Sequence, residues 1–479
     1  MNKTKAFAFR LLLIYFFLQA FPLDWKYYQQ LFAIGWTHLH YGGIFTLAHY
    51  SPRWSPGPQN YTDWGILFII AAAGAGVWTY VASRPSRTKA ADHNRTSAGA
   101  PSNDSVEPFD NGWYWVRVIA RYRLAIAMIA YGFLKLFPLQ APYPSISNLN
   151  THYGDFTRWK LFSLSLGIVP SYESFLGAVE IIGGLLLFYR RSASIGAFII
   201  AIFLGNVFMS NLAYGGGDDV YSLYLLSLAL FILSYDLQRL ANLLVFQRPA
   251  SPNRFQPLLP AKWQRNGRLA LKTFFVFFFV LLYGFKTRYA PATDPYQFPT
   301  SKGLPGVTGI YNVTAFKIGK DTLAYSRTDS IRWQDLVFEK WATLSIRSNR
   351  PVVLDSVNVE RPDLTDNDRT YELQGSAGRH YYSYVADTAR HLLILQNKNP
   401  HYKEEKWVLH YEQPGDSRII LAGTRIVPAG TGISVAGTRI SPPGAAPDKD
   451  SVYVVLDKLD KKYLLEEAAK RGRQGGLKL

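Results

Sequence analysis

The sequence predicts an α-helical polytopic membrane domain of about seven spans, followed by an all-β soluble barrel or sandwich domain. Three observations carry that expectation. Before residue 289 the chain is built from apolar runs, each near the ~20 residues that cross a bilayer. After it, short segments alternate apolar and polar residues between turns roughly ten residues apart. The charge divides at the same place. Lys and Arg outnumber Asp and Glu by 26 to 12 up to residue 288, but only by 26 to 22 beyond it. An excess that sits in loops beside apolar runs points to membrane orientation and argues against nucleic acid as a partner.

Residues 1–83 read as two spans and an external loop. The basic start MNKTK leads into an apolar run from Ala6 to Leu23. The bulky FLQAFPLDW that follows offers no small-residue cleavage site, so the run reads as an uncleaved first span. Residues 26–54 are aromatic and mixed in polarity, as in an interfacial loop or short amphipathic helix. The second span covers Trp64 to Ala82, and its AAAGAG stretch lets a neighbour approach closely. Residues 84–112 have almost nothing to bury and are expected to form a disordered cytoplasmic linker.

Residues 113–240 predict a four-helix membrane bundle with helices near 115–136, 172–188, 194–212 and 220–235, and a long Pro-containing loop at 138–170. Residues 241–268 read as a basic cytoplasmic linker, and 269–288 as a seventh, Phe-rich span. With the N-terminus in the cytoplasm, fourteen Lys and Arg fall in inside segments, Arg190 and Arg191 among them, against four outside. The expected site is therefore a bacterial inner (plasma) membrane, with the C-terminal domain periplasmic or extracellular.

That domain, 289–479, holds the strand-like segments VTGIYNVTAFKIG, LVFEKWATLSIR, PVVLDSVNV, RTYELQG, HYYSYVAD, RHLLILQN, EKWVLHYE, SRIILAG and SVYVVLDKLD. AGTRI at 422–426 recurs at 436–440, which suggests a duplicated hairpin, and the tail from Leu464 is helix-prone. Tyr311, Phe316, Trp333, Trp341 and Trp407 would fill a small barrel or line a cavity in it.

Glu180 is the most telling single residue. A lone carboxylate in mid-span costs about 2.5–3.5 kcal/mol or more unless it faces the bundle interior and has a partner. Glu173 lies seven residues earlier on the same helix face, ~10 Å away along the axis. Lys135 is placed to reach Glu173, and Arg121 or Arg123 to reach Glu180. Together Glu180, Lys135, Glu173, Asn206 and Arg121 form a candidate proton or quinone headgroup site. A structural ion pair that fixes helix register is the alternative reading. Asn206 and Asn211 also suit plain interhelical hydrogen bonding. Asp218 and Asp219 lie in a glycine-rich turn with too few oxygens for a calcium site.

The chain has no cysteine, which excludes disulfides, thiol relays, Cys-bound iron–sulfur clusters and covalent c-type haem. None of its nine histidines falls inside a predicted span, so no bis-His haem is expected there. His38, His40 and His49 lack an accompanying carboxylate, His152 and Asp155 read as plain loop residues, and no metal site is assigned.

Residues 117–240 carry YGFLKLFPLQ, GAVEIIGGLLLFYRR, GAFIIAIFLGNVFMSNLAY and YSLYLLSLALFILSYDLQRL, and in these they resemble the DoxX family of four-helix membrane proteins. GGGDDV stands where many relatives have PVK-like residues. The external domain resembles the lipocalin-like modules appended to some such proteins. The resemblance implies a non-metal accessory or quinone-binding component of a membrane redox system, with a redox subunit and the lipid bilayer as partners. Catalysis by this chain alone is not expected. Two other functions stay open: handling of a lipophile by the β domain, and a ligand-free assembly or structural role.

Overall fold

In the computed structural model, which describes residues 3–56, 60–83, 108–250, 257, 260–293, 298–353, 366–376, 378–426, 451–461 and 463, each apolar run is helical. The first helices are α1 (Lys3–Ala20), α2 (Trp25–Ala33), α3 (Tyr41–Ala48), α4 (Tyr61–Ser83) and α5 (Pro108–Leu136). Next come α6 (Ile146–Leu149), α7 (Arg158–Gly167), α8 (Pro170–Phe188), α9 (Ala193–Tyr214), α10 (Asp219–Ser234) and α11 (Leu237–Leu244). Last, α12 (Lys262–Val276) passes through a π-helical turn, Phe277–Leu282, into α13 (Tyr283–Thr293). The chain divides into two compact units, Met1–Phe137 with Glu173–Ala290, and Pro138–Tyr172 with Pro291–Leu479.

Among the described residues, five stretches are long and apolar enough to cross a membrane, and a sixth is if α10 and α11, bent by 72° at their junction, count as one. The stretches are 4–33, 61–83, 170–188, 193–214 and 262–292. Helix α5, expected as the third span, is not among them. It carries Arg117, Arg121, Arg123 and Lys135. The packing explains how one helix holds four cations. Residues from Ala120 to Ala130, apart from Tyr122, are buried, so α5 is enclosed by other helices instead of facing out. Each cation then finds a partner within the unit, as the site below shows. Small residues let α8 approach α5: a Cβ on Gly177 would collide with Gly132 O and the Leu136 backbone nitrogen. On Gly184 it would meet Ile129 at 2.7 Å. Ser174 Oγ adds a hydrogen bond to Leu136 O at 2.9 Å.

The second unit is a closed eight-stranded antiparallel barrel. Its strands are β1 (Gly309–Ile318), the two-residue appendage β2 (Asp321–Thr322), β3 (Asp335–Phe338), β4 (Thr343–Arg347) and β5 (Arg379–Asp387). They continue with β6 (Leu392–Asn397), β7 (Lys406–Gly415), β8 (Arg418–Ile426) and β9 (Ser451–Leu459). The order is β2-β1-β3-β4-β5-β6-β7-β8-β9, and β1 pairs with β9 to close it. Alternation sets the inside: Val452, Val454 and Leu456 point into the core, and Tyr453 and Val455 do not. LVFEKWATLSIR is a hairpin of two strands, and RTYELQG is no strand but contains a 3₁₀ turn, Tyr371–Gln374. The first AGTRI ends β8, while the second, most of PVVLDSVNV, the helix-prone tail and most of the 84–112 linker lie outside the described residues.

The segment at 138–170 is not a loop of the bundle. It carries α6 and α7 and belongs to the barrel unit, where it covers polar residues on the outer wall. Glu339 accepts hydrogen bonds from the Ser147 backbone N–H (2.8 Å), the Ser147 hydroxyl (2.6 Å) and the Ile146 N–H (3.2 Å). Beneath it the fully buried Arg379 binds Asp335 at 2.5 Å and Ser345 at 3.1 Å. Alongside, Lys398 binds Asp366 at 2.5 Å and Thr343 at 3.1 Å.

Candidate functional site: a groove in the helical unit

Two residues expected at the site do meet. The Lys135 ammonium forms an ion pair with Glu180, both buried. Aromatic rings surround the ammonium, with Phe203 at 5.2 Å and Tyr131 at 5.8 Å. Lys135 thus pairs with Glu180 and not with Glu173. Glu173 is buried one turn beyond Gly177 on the same helix. The Gly177–Leu136 approach puts Lys135 between the two acids, and its flexible stem turns toward Glu180.

The other expected residues go elsewhere. Arg121 does not pair with Glu180; its Nε and Nη2 donate to Leu187 O at 2.9 and 2.5 Å. Arg123 donates to Ala48 O at 2.5 Å and lies over the Tyr50 ring at 4.8 Å. Asn206 is exposed and accepts a hydrogen bond from Ser210 at 3.3 Å, on its own helix. Asn211 donates to Val207 O (3.0 Å) and accepts from the Asp218 N–H (3.3 Å), so it ties α9 to the following turn instead of bridging helices. Asp219 accepts from Tyr61 at 2.8 Å. His40 Nδ1 accepts from the Gly42 N–H and caps α3, and His49 packs against Tyr221. Among the described residues no group of three or more His, Cys, Asp or Glu could hold a metal ion.

Sequence reasoning missed a second buried pair. Asp236, at the bend between α10 and α11, accepts from Arg117 (2.7 Å), Ser194 (2.5 Å) and Arg239 (2.9 Å). One signal was available: an Asp at the end of an apolar run.

It also missed a void in the unit. A groove of about 1110 Å³ runs between α5 and α12, with walls from α1–α3 and the C-terminal end of α8. Its body is apolar and aromatic: Val118, Ile119, Ile126, Phe275, Phe278 and Phe279 line it. The π-helical turn contributes Phe278 and Phe279, and turns of this kind recur at functional sites. Arg121, Arg123, Arg190, Arg265, Arg268 and Lys272 also line it. On α12, Arg265, Arg268 and Lys272 fall at i, i+3 and i+7, one stripe, and Phe275 and Phe279 extend the stripe toward the aromatic end. Of the expected site residues, Arg121 lines the groove; Lys135, Glu173, Glu180 and Asn206 do not.

The barrel interior is largely filled. Phe316, Trp333 and Trp407 are buried, with ring centroids 5.7 and 5.4 Å apart in succession, and Tyr311 packs at the other side of the core. Trp341 is only partly buried. A cavity of about 240 Å³ remains, lined by Phe316, Trp333 and Trp407 and by Ser348, His380, Glu405 and Arg350, whose Nη1 donates to both Glu405 carboxylate oxygens at 2.8 and 2.9 Å. Burial, then Arg350, lowers the His380 pKa to about 4. On the outer wall, burial raises Glu372 to about 7 and lowers Lys398 to about 8 against the pull of Asp366.

No family model, no curated protein and no solved structure matches this chain.

Proposed function

We propose that this chain is a multi-pass membrane protein whose helical unit binds a lipophilic, membrane-derived molecule in the groove between α5 and α12. The groove itself carries the reading. At about 1110 Å³ it exceeds the usual ~300–1,000 Å³ of small-molecule pockets, and most of its walls are apolar or aromatic. Three of the candidate spans, 4–33, 170–188 and 262–292, contribute to its lining, with α5 as a further, enclosed span. In the orientation set by the basic loops, the N-terminus is cytoplasmic and the barrel is outside the cell membrane.

A DoxX-like redox accessory remains one form of this reading, with quinone as the bound lipophile. The groove has room for it, but Glu180 and Lys135 do not fit as its headgroup site. They neutralise each other in a closed pair away from the groove lining. Handling of a lipophile by the barrel has less support, because its cavity of about 240 Å³ is too small for a lipid-sized guest. Native mass spectrometry of the full chain in mild detergent tests the proposal. Wild type retains a lipophile, and Ile119→Trp, which fills the groove, lowers its occupancy by roughly tenfold. A wild-type chain that retains nothing overturns it.

A further inference from the structure

We infer that the groove's occupant is an anionic phospholipid, whose phosphate is held at the end of the groove lined by Arg265, Arg268 and Lys272. This rests on the groove being a lipophile site, and it names the chemistry of the head. The lining contains six Lys or Arg and not one Asp or Glu. A groove built for a neutral head, such as a quinone ring, needs hydrogen-bond donors but no net charge. Six cations without a carboxylate leave a positive field that an anion complements.

The placement of the charges fits a lipid more closely than it fits a free ion. On α12 the stripe changes from cationic to aromatic in a single direction. From Arg265 to Lys272 is ~10 Å along the axis, and from Arg265 to Phe279 ~21 Å, against a hydrocarbon half-thickness of ~15 Å. Tyr114, Trp115 and Tyr189 also line the groove, and such rings are enriched at headgroup level. Head and tail of one amphiphile thus have separate surfaces in one groove.

Arg121 supplies an independent argument. It is buried, and its hydrogen bonds go to one carbonyl oxygen, Leu187 O. Among the described residues it has no carboxylate partner, whereas Arg117 and Lys135 on the same helix each have one. A buried guanidinium without an opposite charge is costly, and a phosphate in the groove would offset that cost. Arg265, Arg268 and Lys272 likewise form no ion pair among the described residues.

The test uses the full chain in detergent with an equimolar mixture of phosphatidylglycerol and phosphatidylcholine, read by native mass spectrometry. Wild type retains phosphatidylglycerol over phosphatidylcholine by about tenfold or more, the scale expected of several cations near one headgroup. Arg265→Gln/Arg268→Gln/Lys272→Gln brings the two lipids to parity while still binding lipid. Lys262→Gln, on the same helix but outside the lining, leaves the preference unchanged. Inorganic phosphate at millimolar concentration does not displace the lipid. Equal retention of both lipids by wild type, or retention of a neutral quinone alone, overturns the anionic head and leaves the groove reading standing. Displacement by inorganic phosphate assigns the cations to a free anion and also overturns it. Retention of no lipophile of any kind sinks both readings.

Discussion

Glu180 and Lys135 illustrate what a buried charge reveals in a sequence and what it hides. A single acid within an apolar run is conspicuous, and its need for a partner follows from the cost of burying it. Which partner it takes depends on how far two helices slide past each other. Gly132 and Gly177 set that register, and no spacing rule within one helix reports it. Arg121 lies fourteen residues from Lys135, ~21 Å along α5, so once Lys135 meets Glu180, Arg121 cannot. Breaking the pair from either side, by Glu180→Gln or Lys135→Met, is expected to cost about 3–5 kcal/mol, and the double change Lys135→Met/Glu180→Leu to recover most of that. Denaturation midpoints in detergent measure it. A double variant as unstable as the singles would mean that the pair has a further partner.

At the scale of elements, the barrel strands were legible because alternation with turns is a strong local signal, and seven of the nine segments read as strands are strands or hairpins. RTYELQG misled because its Tyr and Leu belong to a 3₁₀ turn laid over the wall, where they are half-buried and Glu372 is buried. The cover from 138–170 was not legible at all. Ser147 and its partner Glu339 are 192 residues apart, and the bond between them leaves no local pattern. Two buried groups, Glu372 on the outer wall and His380 in the cavity, give the barrel a distinctive pH response. Glu372 is raised from 4.5 to about 7, so between those values the folded chain keeps a proton that the unfolded chain releases. Its contribution therefore falls as pH rises, by about 1.4 kcal/mol per unit. His380 is lowered from 6.5 to about 4, so across that interval the unfolded chain binds the extra proton and its contribution falls as pH drops. Relative to wild type, Glu372→Gln should gain stability from pH 4.5 upward, and His380→Phe from pH 6.5 downward. Urea titration of the full chain, with a brief protease pulse to report the barrel, measures both. Stability differences that do not change with pH would show that neither group is held as described.

For the whole molecule, the two-part architecture was legible from composition alone, since apolar runs and alternating segments occupy separate stretches of the chain. The groove was not. Its walls come from α1, α2, α3, α5, α8 and α12, and a void has no sequence signature. Of the cations that line it, Arg190, Arg265 and Arg268 were visible as topology signals in basic segments, and Arg121 and Arg123 as candidate partners of Glu180. Their second role, facing a cavity that holds no acid, depends on packing. Helix α5 links these observations. Surrounded by other helices, it can hold four cations: two are neutralised by Glu180 and Asp236, and two, Arg121 and Arg123, rest on carbonyl oxygens at the groove.

The central claim is that a lipophile sits in the helical unit between α5 and α12. Photo-crosslinking tests it most directly, with the full chain in its membrane, a phospholipid bearing a diazirine in its tail, and peptide mapping of the adducts. The account predicts label on the α5 stretch around Val118–Ile126 and on Leu271–Phe279, lost in Ile119→Trp. Label confined to the barrel strands, or label on α5 and α12 that Ile119→Trp leaves intact, would contradict it.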